Sequence, residues 1–206
     1  MTKLMYIKAS PRTGRSHSLA VADAFVEAWK AKNPSAKVLE RDLFTMDLPS
    51  FDGVTINGKY NIMHGRDFSP EEQTAWAKVV KVIEDFKQAD RYVFAVPMWN
   101  FNIPYRLKQF IDLVTQPTYT VGISDKGYEG LLKGRKAFVA YARGGQYPVG
   151  TPSEAYNFQS KYFEFWLGFV GITDVVSVAA EGMLTPDRDA NKSAAVARAR
   201  ELAAAF

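Results

Sequence analysis

Three short segments of this chain gather the side chains and backbone types that can hold a charged, planar ligand. In the first, Ser10-Pro11-Arg12-Thr13-Gly14-Arg15-Ser16-His17-Ser18, serines and a threonine stand beside two arginines. Hydroxyls and the unpaired amides of a helix start can share the oxygens of a monophosphate, and the helix dipole favours its charge. The segment matches neither the G-x-x-x-x-G-K-[ST] loop of nucleotide triphosphatases nor the G-x-G-x-x-G turn of dinucleotide binders. A polar loop that merely caps a helix is the competing explanation.

The second segment, Pro97-Met98-Trp99-Asn100-Phe101-Asn102-Ile103-Pro104, sets three large apolar side chains around Asn100 and between two stiffening prolines. Flat apolar walls with a few fixed donors suit a planar heteroaromatic ring, although Phe101 and Ile103 would also serve to cap a core. The third, Ala142-Arg143-Gly144-Gly145-Gln146-Tyr147, pairs two glycines, which let backbone amides approach a ligand closely. Donors so placed stabilise negative charge that develops on a ring, but a bare Gly-Gly turn is common.

The elements that must position these segments follow from hydrophobic patterning. Short β-rich stretches at 4–7, 37–41, 92–96, 137–141 and 175–179 alternate with helical patterns, which is the βα rhythm of a parallel sheet. The last three stretches are almost continuously apolar, so helices are expected over both of their faces. A helix starting near Ser18 aligns Ala22, Phe25, Val26 and Trp29 on one side. A second runs from Ser69 towards Gln88, with serine and early acids at its start, and a third begins near Pro104. A fourth is expected over 153–170, with more aromatic rings than one core face requires, and an alanine-rich helix over about 186–206 closes the fold. The stretches 44–68 and 115–134 read as irregular. The three segments follow strands one, three and four, which surround the switch point of a 2-1-3-4-5 sheet.

With 206 residues and 47% hydrophobic content, one domain spanning 1–206 is the expected organisation. The absence of cysteine excludes disulfides, thiolate nucleophiles and cysteine-ligated metals. His17 and His64 lack metal-ligand spacing, so no metal is expected. The net charge of +4 is dispersed among 22 acidic residues, which argues against a nucleic-acid partner. Neither a signal peptide nor a membrane span is legible, and a cytoplasmic protein is expected.

Taken together, the three segments resemble those of the bacterial FMN-dependent NADH-azoreductases, also called FMN-dependent NADH:quinone oxidoreductases. Leu167-Gly168-Phe169-Val170-Gly171-Ile172-Thr173-Asp174 and Ala180-Glu181-Gly182 carry the same resemblance, which covers essentially the whole chain. It implies a flavodoxin-like, doubly wound five-stranded sheet and a homodimer in which each tightly bound FMN lies in a site completed by the partner chain. Ser10, Ser16, His17 and Ser18 would hold the phosphate. Met98, Trp99, Asn100 and Phe101 would line the ribityl chain and isoalloxazine, with Ala142, Arg143, Gly144 and Gly145 flanking the ring. Val121, Ile123, Tyr147 and Trp166 are the expected substrate-pocket residues. Family members often carry tyrosine where Trp99 stands and serine or threonine where Ala142 stands, so acceptor preference is expected to differ.

The implied reaction is ping-pong: NADH or NADPH reduces FMN, and the same pocket then receives a quinone or azo compound. FMN carries the hydride, and no side chain is expected to be catalytic. A flavodoxin-like electron carrier or flavin-binding sensor is the alternative; it predicts slow reduction by free NADH and a docking face for a partner protein.

Overall fold

The computed structural model describes residues 1–125 and 127–206, so Lys126, inside the stretch expected to be irregular, lies outside the described residues. In chain order the strands are β1 (Lys3–Lys8), β2 (Lys37–Asp42), β3 (Arg91–Pro97), β4 (Val121–Ser124), β5 (Gly127–Gly130), β6 (Lys136–Ala142) and β7 (Asp174–Ala180). The main sheet is parallel throughout, in the order β2-β1-β3-β6-β7. In terms of the five expected strands this is 2-1-3-4-5, and each expected strand lies within one residue of the observed one at either end.

Helices α1 (His17–Lys32), α2 (Gly53–Met63), α3 (Pro70–Lys87), α4 (Tyr105–Val114), α5 (Phe158–Phe169) and α6 (Arg188–Ala203) fill the intervals. Alternation along the strands builds two cores. Leu4, Tyr6, Val93, Ala95, Phe138 and Ala140 pack beneath α1 and α6. Met5, Ile7, Tyr92, Phe94, Val139 and Tyr141 face α3, α4 and α5. A strand covered on both faces has to be apolar throughout, which is why β3 and β6 read as unbroken apolar runs.

Helix starts follow local chemistry. Ser69 caps α3 by accepting from the Glu72 amide while the Glu72 carboxylate returns the contact, a reciprocal arrangement that contributes about 1 kcal/mol. Ser16 does the same for α1 by accepting from Leu19.

Four expectations need correction. The stretch 44–68 contains α2, whose start is fixed by Asp52 accepting from the Thr55 amide. The stretch 115–134 contains the antiparallel hairpin of β4 and β5. The single helix expected over 153–170 is interrupted at Asn157, which ends a 3-10 turn (Pro152–Tyr156) and caps α5 through the Ser160 amide. Finally, β7 is an edge strand, paired only with β6, and leaves Ser177 and Ala179 exposed and Val175 and Val176 half-buried.

Candidate active site

The three segments meet because their strands are neighbours that end together. The Ala9 amide donates to Ala95 at 3.0 Å, and the Met98 amide donates to Ala142 at 2.8 Å. The loops after β1, β3 and β6 therefore leave one edge of the sheet side by side, where strand order reverses.

The first loop brings Ser10, Ser16 and Ser18 into a buried cluster at the start of α1. The Ser16 and Ser18 hydroxyls lie 3.1 Å apart, and the Ser10 hydroxyl accepts from the Arg12 amide at 3.4 Å. His17 stands between the two serines, and its Nδ1 is buried with no hydrogen-bond partner among the described residues. Burial holds the His17 pKa below its ordinary value, and Lys192, Arg12 and Arg188 push it the same way, against a smaller opposing pull from Asp189. An orphaned ring nitrogen, a hydroxyl cluster and surrounding cations all call for an anion, so these residues fit a phosphate.

The loop after β3 is a tight reversal. Trp99 and Asn102 exchange backbone hydrogen bonds of 2.8 and 3.0 Å, and the two residues between them, Asn100 and Phe101, have φ of 46° and 67°. Two successive left-handed residues describe a type I′-like turn, a place where asparagine is tolerated but phenylalanine is strained. The amides of Asn100 and Phe101 bond to nothing among the described residues. Phe44 and Tyr105 pack on Trp99 with ring centroids 5.8 and 6.3 Å away. A cleft of about 640 Å³ opens beside this turn, bounded by Phe51, Trp99, Asn100, Tyr105 and Tyr162 among others.

Sequence patterning did not reveal what holds the segment after β2, which leads to Phe51 at the cleft. Arg106, in the first turn of α4, donates from Nε to the Leu43 carbonyl and from Nη2 to the Met46 carbonyl, both at 2.6 Å. Gln109 donates to the Pro49 carbonyl at 3.1 Å. These side chains satisfy backbone groups of a segment that has no ladder of its own.

The third loop is pinned to the segment after β7. Gly182, Met183 and Leu184 donate their amides to the carbonyls of Gly145, Arg143 and Gly144 at 2.9, 3.0 and 3.1 Å. A Cβ on Gly144 would lie 2.8 Å from the tip of the Leu184 side chain, which is exposed and can turn aside. The amides of Gly144 and Gly145 remain without partners among the described residues.

Arg143 itself points inward. Its side chain is 6% exposed, with Nε donating to Gln159 Oε1 at 2.8 Å and Nη1 to Glu181 Oε1 at 2.7 Å. Gln159 in turn donates to the Val96 carbonyl at 2.9 Å, linking this loop to β3. What the Arg143 position offers outward is therefore loop geometry. Ala142 is buried beside it, and Tyr147 is half-buried at the rim.

The expected substrate-pocket residues are not brought together within one chain. Trp166 is 3% exposed and belongs to the core, stacked near Phe86 and Phe163, with its indole N–H donated to Thr115 at 2.8 Å. Val121 is also a core residue. The hairpin carrying Val121 and Ile123 is anchored where α5 turns into β7, through close contact of Gly130 with Gly171 and the Leu132–Val170 backbone bond. That turn leads into the start of β7, at the sheet edge opposite the three loops. Ile123 is exposed there.

Comparison with known proteins places the chain in a family. A family model described as the flavodoxin-like fold matches residues 2–203. The FMN-dependent NADH:quinone oxidoreductase of Nitratidesulfovibrio vulgaris (strain DP4) is 48% identical over 209 residues, covering all of both chains. The chain is a member of the FMN-dependent NADH:quinone oxidoreductase family. Another relative of that name, from Desulfotalea psychrophila, is 40% identical over 96% of this chain and 93% of its own. Among solved structures, an azoreductase from Bacillus anthracis str. Sterne superposes with a TM-score of 0.93 at 31% identity, with both chains fully covered. An FMN-dependent NADH-azoreductase from Bacillus anthracis str. Ames Ancestor, solved in complex with FMN, gives 0.92 at 28% identity, covering 99% of this chain and 98% of its own.

Proposed function

We propose that this protein is an FMN-dependent oxidoreductase that passes hydride from NADH or NADPH to quinones and azo compounds. The observation that carries the reading is the convergence of a buried hydroxyl cluster and an unpartnered His17 nitrogen with two loops of free amides beside a Trp99-walled cleft. Bound FMN supplies the chemistry, accepting hydride from the nicotinamide and releasing it to the acceptor. The chain supplies the holding and the tuning. Ser10, Ser16, His17 and Ser18 grip the phosphate, and Met98, Trp99, Asn100 and Phe101 form the wall along the ribityl chain and ring. The Gly144 and Gly145 amides, without partners among the described residues, would offer donors to the ring and stabilise negative charge that accumulates on reduction.

The reading includes a single domain, a cytoplasmic setting and a homodimer with shared sites. Tyr128, Tyr156, Phe158 and Phe165 are more than half exposed, and Ile123 is 67% exposed, an apolar surface that a second subunit would cover. Such a subunit would bring the hairpin to its partner's cleft, where Ile123 would touch substrate. No described helix is long and apolar enough to cross a membrane.

A visible spectrum of the purified protein, taken anaerobically before and after NADH and then after a simple quinone, tests the function. Bleaching by NADH and restoration by the quinone are expected. A flavin spectrum that NADH leaves intact would replace the enzyme with an electron carrier or sensor, and failure to bind added FMN would overturn the reading.

A further inference from the structure

Among the described residues that line the cleft beside Trp99, the charged side chains are Lys108 and Asp112, both on α4. Tyr105, Lys108, Gln109 and Asp112 recur at helical spacing, so they form one stripe along α4, and all four line the cleft. The other side of the helix buries Leu107, Phe110, Ile111 and Val114 in the core, which leaves the stripe facing outward. The Lys108 ammonium donates to both carboxylate oxygens of Asp112, at 2.6 and 2.7 Å. The two side chains are 49% and 41% exposed, so the pair is open to solvent and to a molecule entering the cleft.

Tyr162, on α5, lines the cleft as well. Burial raises its pKa, and the charges of Lys108 and Asp112 act on it in opposite directions, so its phenol adds no charge near neutral pH. Helix stability does not account for the Lys108–Asp112 pair. Lys108 ends the first turn of α4 and Asp112 lies in the last, so each stands at the end of the helix dipole that repels its charge. Lysine four residues before an acid is also the weaker order for such a pair, and at this exposure the pair contributes little to the fold.

We propose that Asp112 is a specificity-determining residue: it neutralises Lys108, leaves the α4 wall without net charge, and so suits the cleft to neutral aromatic acceptors over those that bear a sulfonate or carboxylate. An anionic acceptor meets an ammonium already paired and a carboxylate of its own sign. Without Asp112 the same wall would present a free ammonium and draw anions in. The assignment rests on the reading of the cleft as the acceptor's place. The Asp112 backbone carbonyl, which accepts from Gln116 Nε2 at 2.6 Å, is untouched by a change of side chain, so the charge can be removed without cutting that contact.

The test uses the oxidised, FMN-loaded, full-length protein and two probes of the same shape, naphthalene-2-sulfonate and neutral 2-naphthol, titrated by calorimetry into the parent, Asp112→Asn and Lys108→Met. Asp112→Asn should raise the ratio of sulfonate to naphthol affinity about fivefold, and Lys108→Met should lower it by a similar factor. The gain in Asp112→Asn should shrink in 0.5 M salt, which screens an exposed charge. Turnover with NADH should follow the same order, the ratio of kcat/KM for 1,4-naphthoquinone-2-sulfonate to that for 1,4-naphthoquinone rising in Asp112→Asn. A ratio within twofold of the parent in Asp112→Asn would overturn the proposal. Equal changes for both probes, the mark of a merely structural role, would also overturn it, as would the absence of binding of either probe at millimolar concentration. Calorimetric ratios that move while neither quinone is reduced would uphold the charge assignment and remove the hydride-transfer reading; reduction of both quinones with an unmoved ratio would do the reverse.

Discussion

Arg143→Met separates two roles that the residue could play, anchoring its loop or touching the ligand. The substitution keeps an unbranched stem but removes every donor. Gln159, fully buried, loses the partner of its Oε1, at a cost of about 1–3 kcal/mol. Glu181 loses its ion pair, but its side chain is 25% exposed and water replaces much of the interaction, so at most about 1 kcal/mol is added. The guanidinium lies 5.2 Å from the centroid of the Tyr141 ring, a contact contributing a further ~0.5 kcal/mol or more. The total is about 2–4 kcal/mol, which for a chain of this length lowers the melting temperature by roughly 4–16 °C. The assay is thermal denaturation of the flavin-free variant beside the flavin-free parent, with FMN affinity measured separately at a temperature where both are folded. Pairing the change with Gln159→Leu should cost less than the sum of the two single changes, because the unpaired Gln159 Oε1 is removed with it, although the Val96 carbonyl then loses the Gln159 donor. A variant that melts within about 1 °C of the parent yet no longer binds FMN would refute the anchoring argument and return the guanidinium to the ligand.

Replacing both Ser16 and Ser18 with alanine should weaken FMN binding by more than about tenfold, since hydrogen bonds to a charged group contribute roughly 1.5–3 kcal/mol each; an unchanged dissociation constant in a fluorescence titration would reject the phosphate assignment. His17 makes the flavin-free protein acid-sensitive. Its folded-state pKa lies below the ordinary 6.5, so stability is complete above that value and declines as the pH falls towards the folded pKa, because the unfolded chain takes up a proton that the folded one resists. The thermal midpoint should therefore drop more between about pH 7.5 and 5.5 in the parent than in His17→Gln, and parallel curves would dismiss the effect. Phe101→Gly should leave stability within about 1 kcal/mol, the relief of left-handed strain offsetting glycine's entropy and the lost contact with Tyr156, while FMN binding weakens. Denaturant unfolding and flavin titration would detect the opposite pattern, a destabilised protein with unchanged affinity.

The sheet was legible because burial on both faces writes a local signature: an unbroken run such as Tyr92-Val93-Phe94-Ala95-Val96 has little choice of environment. Helix starts were legible within two residues for the same reason, since Ser69 acts on an amide three residues away and the fixed φ of Pro104 presets the backbone that enters α4. The same holds for the arrangement of the three loops, which follows from strand order. The helix α2 was harder to read, because its apolar residues do not form one clean stripe; Asp52, three residues before Thr55, was the available sign. The inward turn of Arg143 depends on partners 16 and 38 residues away, on α5 and after β7, and no local pattern encodes that geometry. Trp166 was expected at the pocket through the family resemblance; its burial against Phe86 and Phe94 depends on α3 and β3, which no local pattern in α5 encodes.

The two edges of the sheet differ in how well they resist self-association. Along β2, Lys37, Glu40, Arg41 and Asp42 place charges of both signs on the outermost strand, and another chain that docks there must desolvate them. Along β7 the outermost residues include Val175, Val176 and Ala179, with Asp174 at the start and Ser177 midway as the polar interruptions. An exposed strand of that kind is a template for strand addition whenever neighbouring elements loosen. Handling losses in concentrated, warmed or partly denatured samples should therefore begin as edge-to-edge pairing at β7, and Ser177 is the position where a lysine would act as a gatekeeper for storage and formulation.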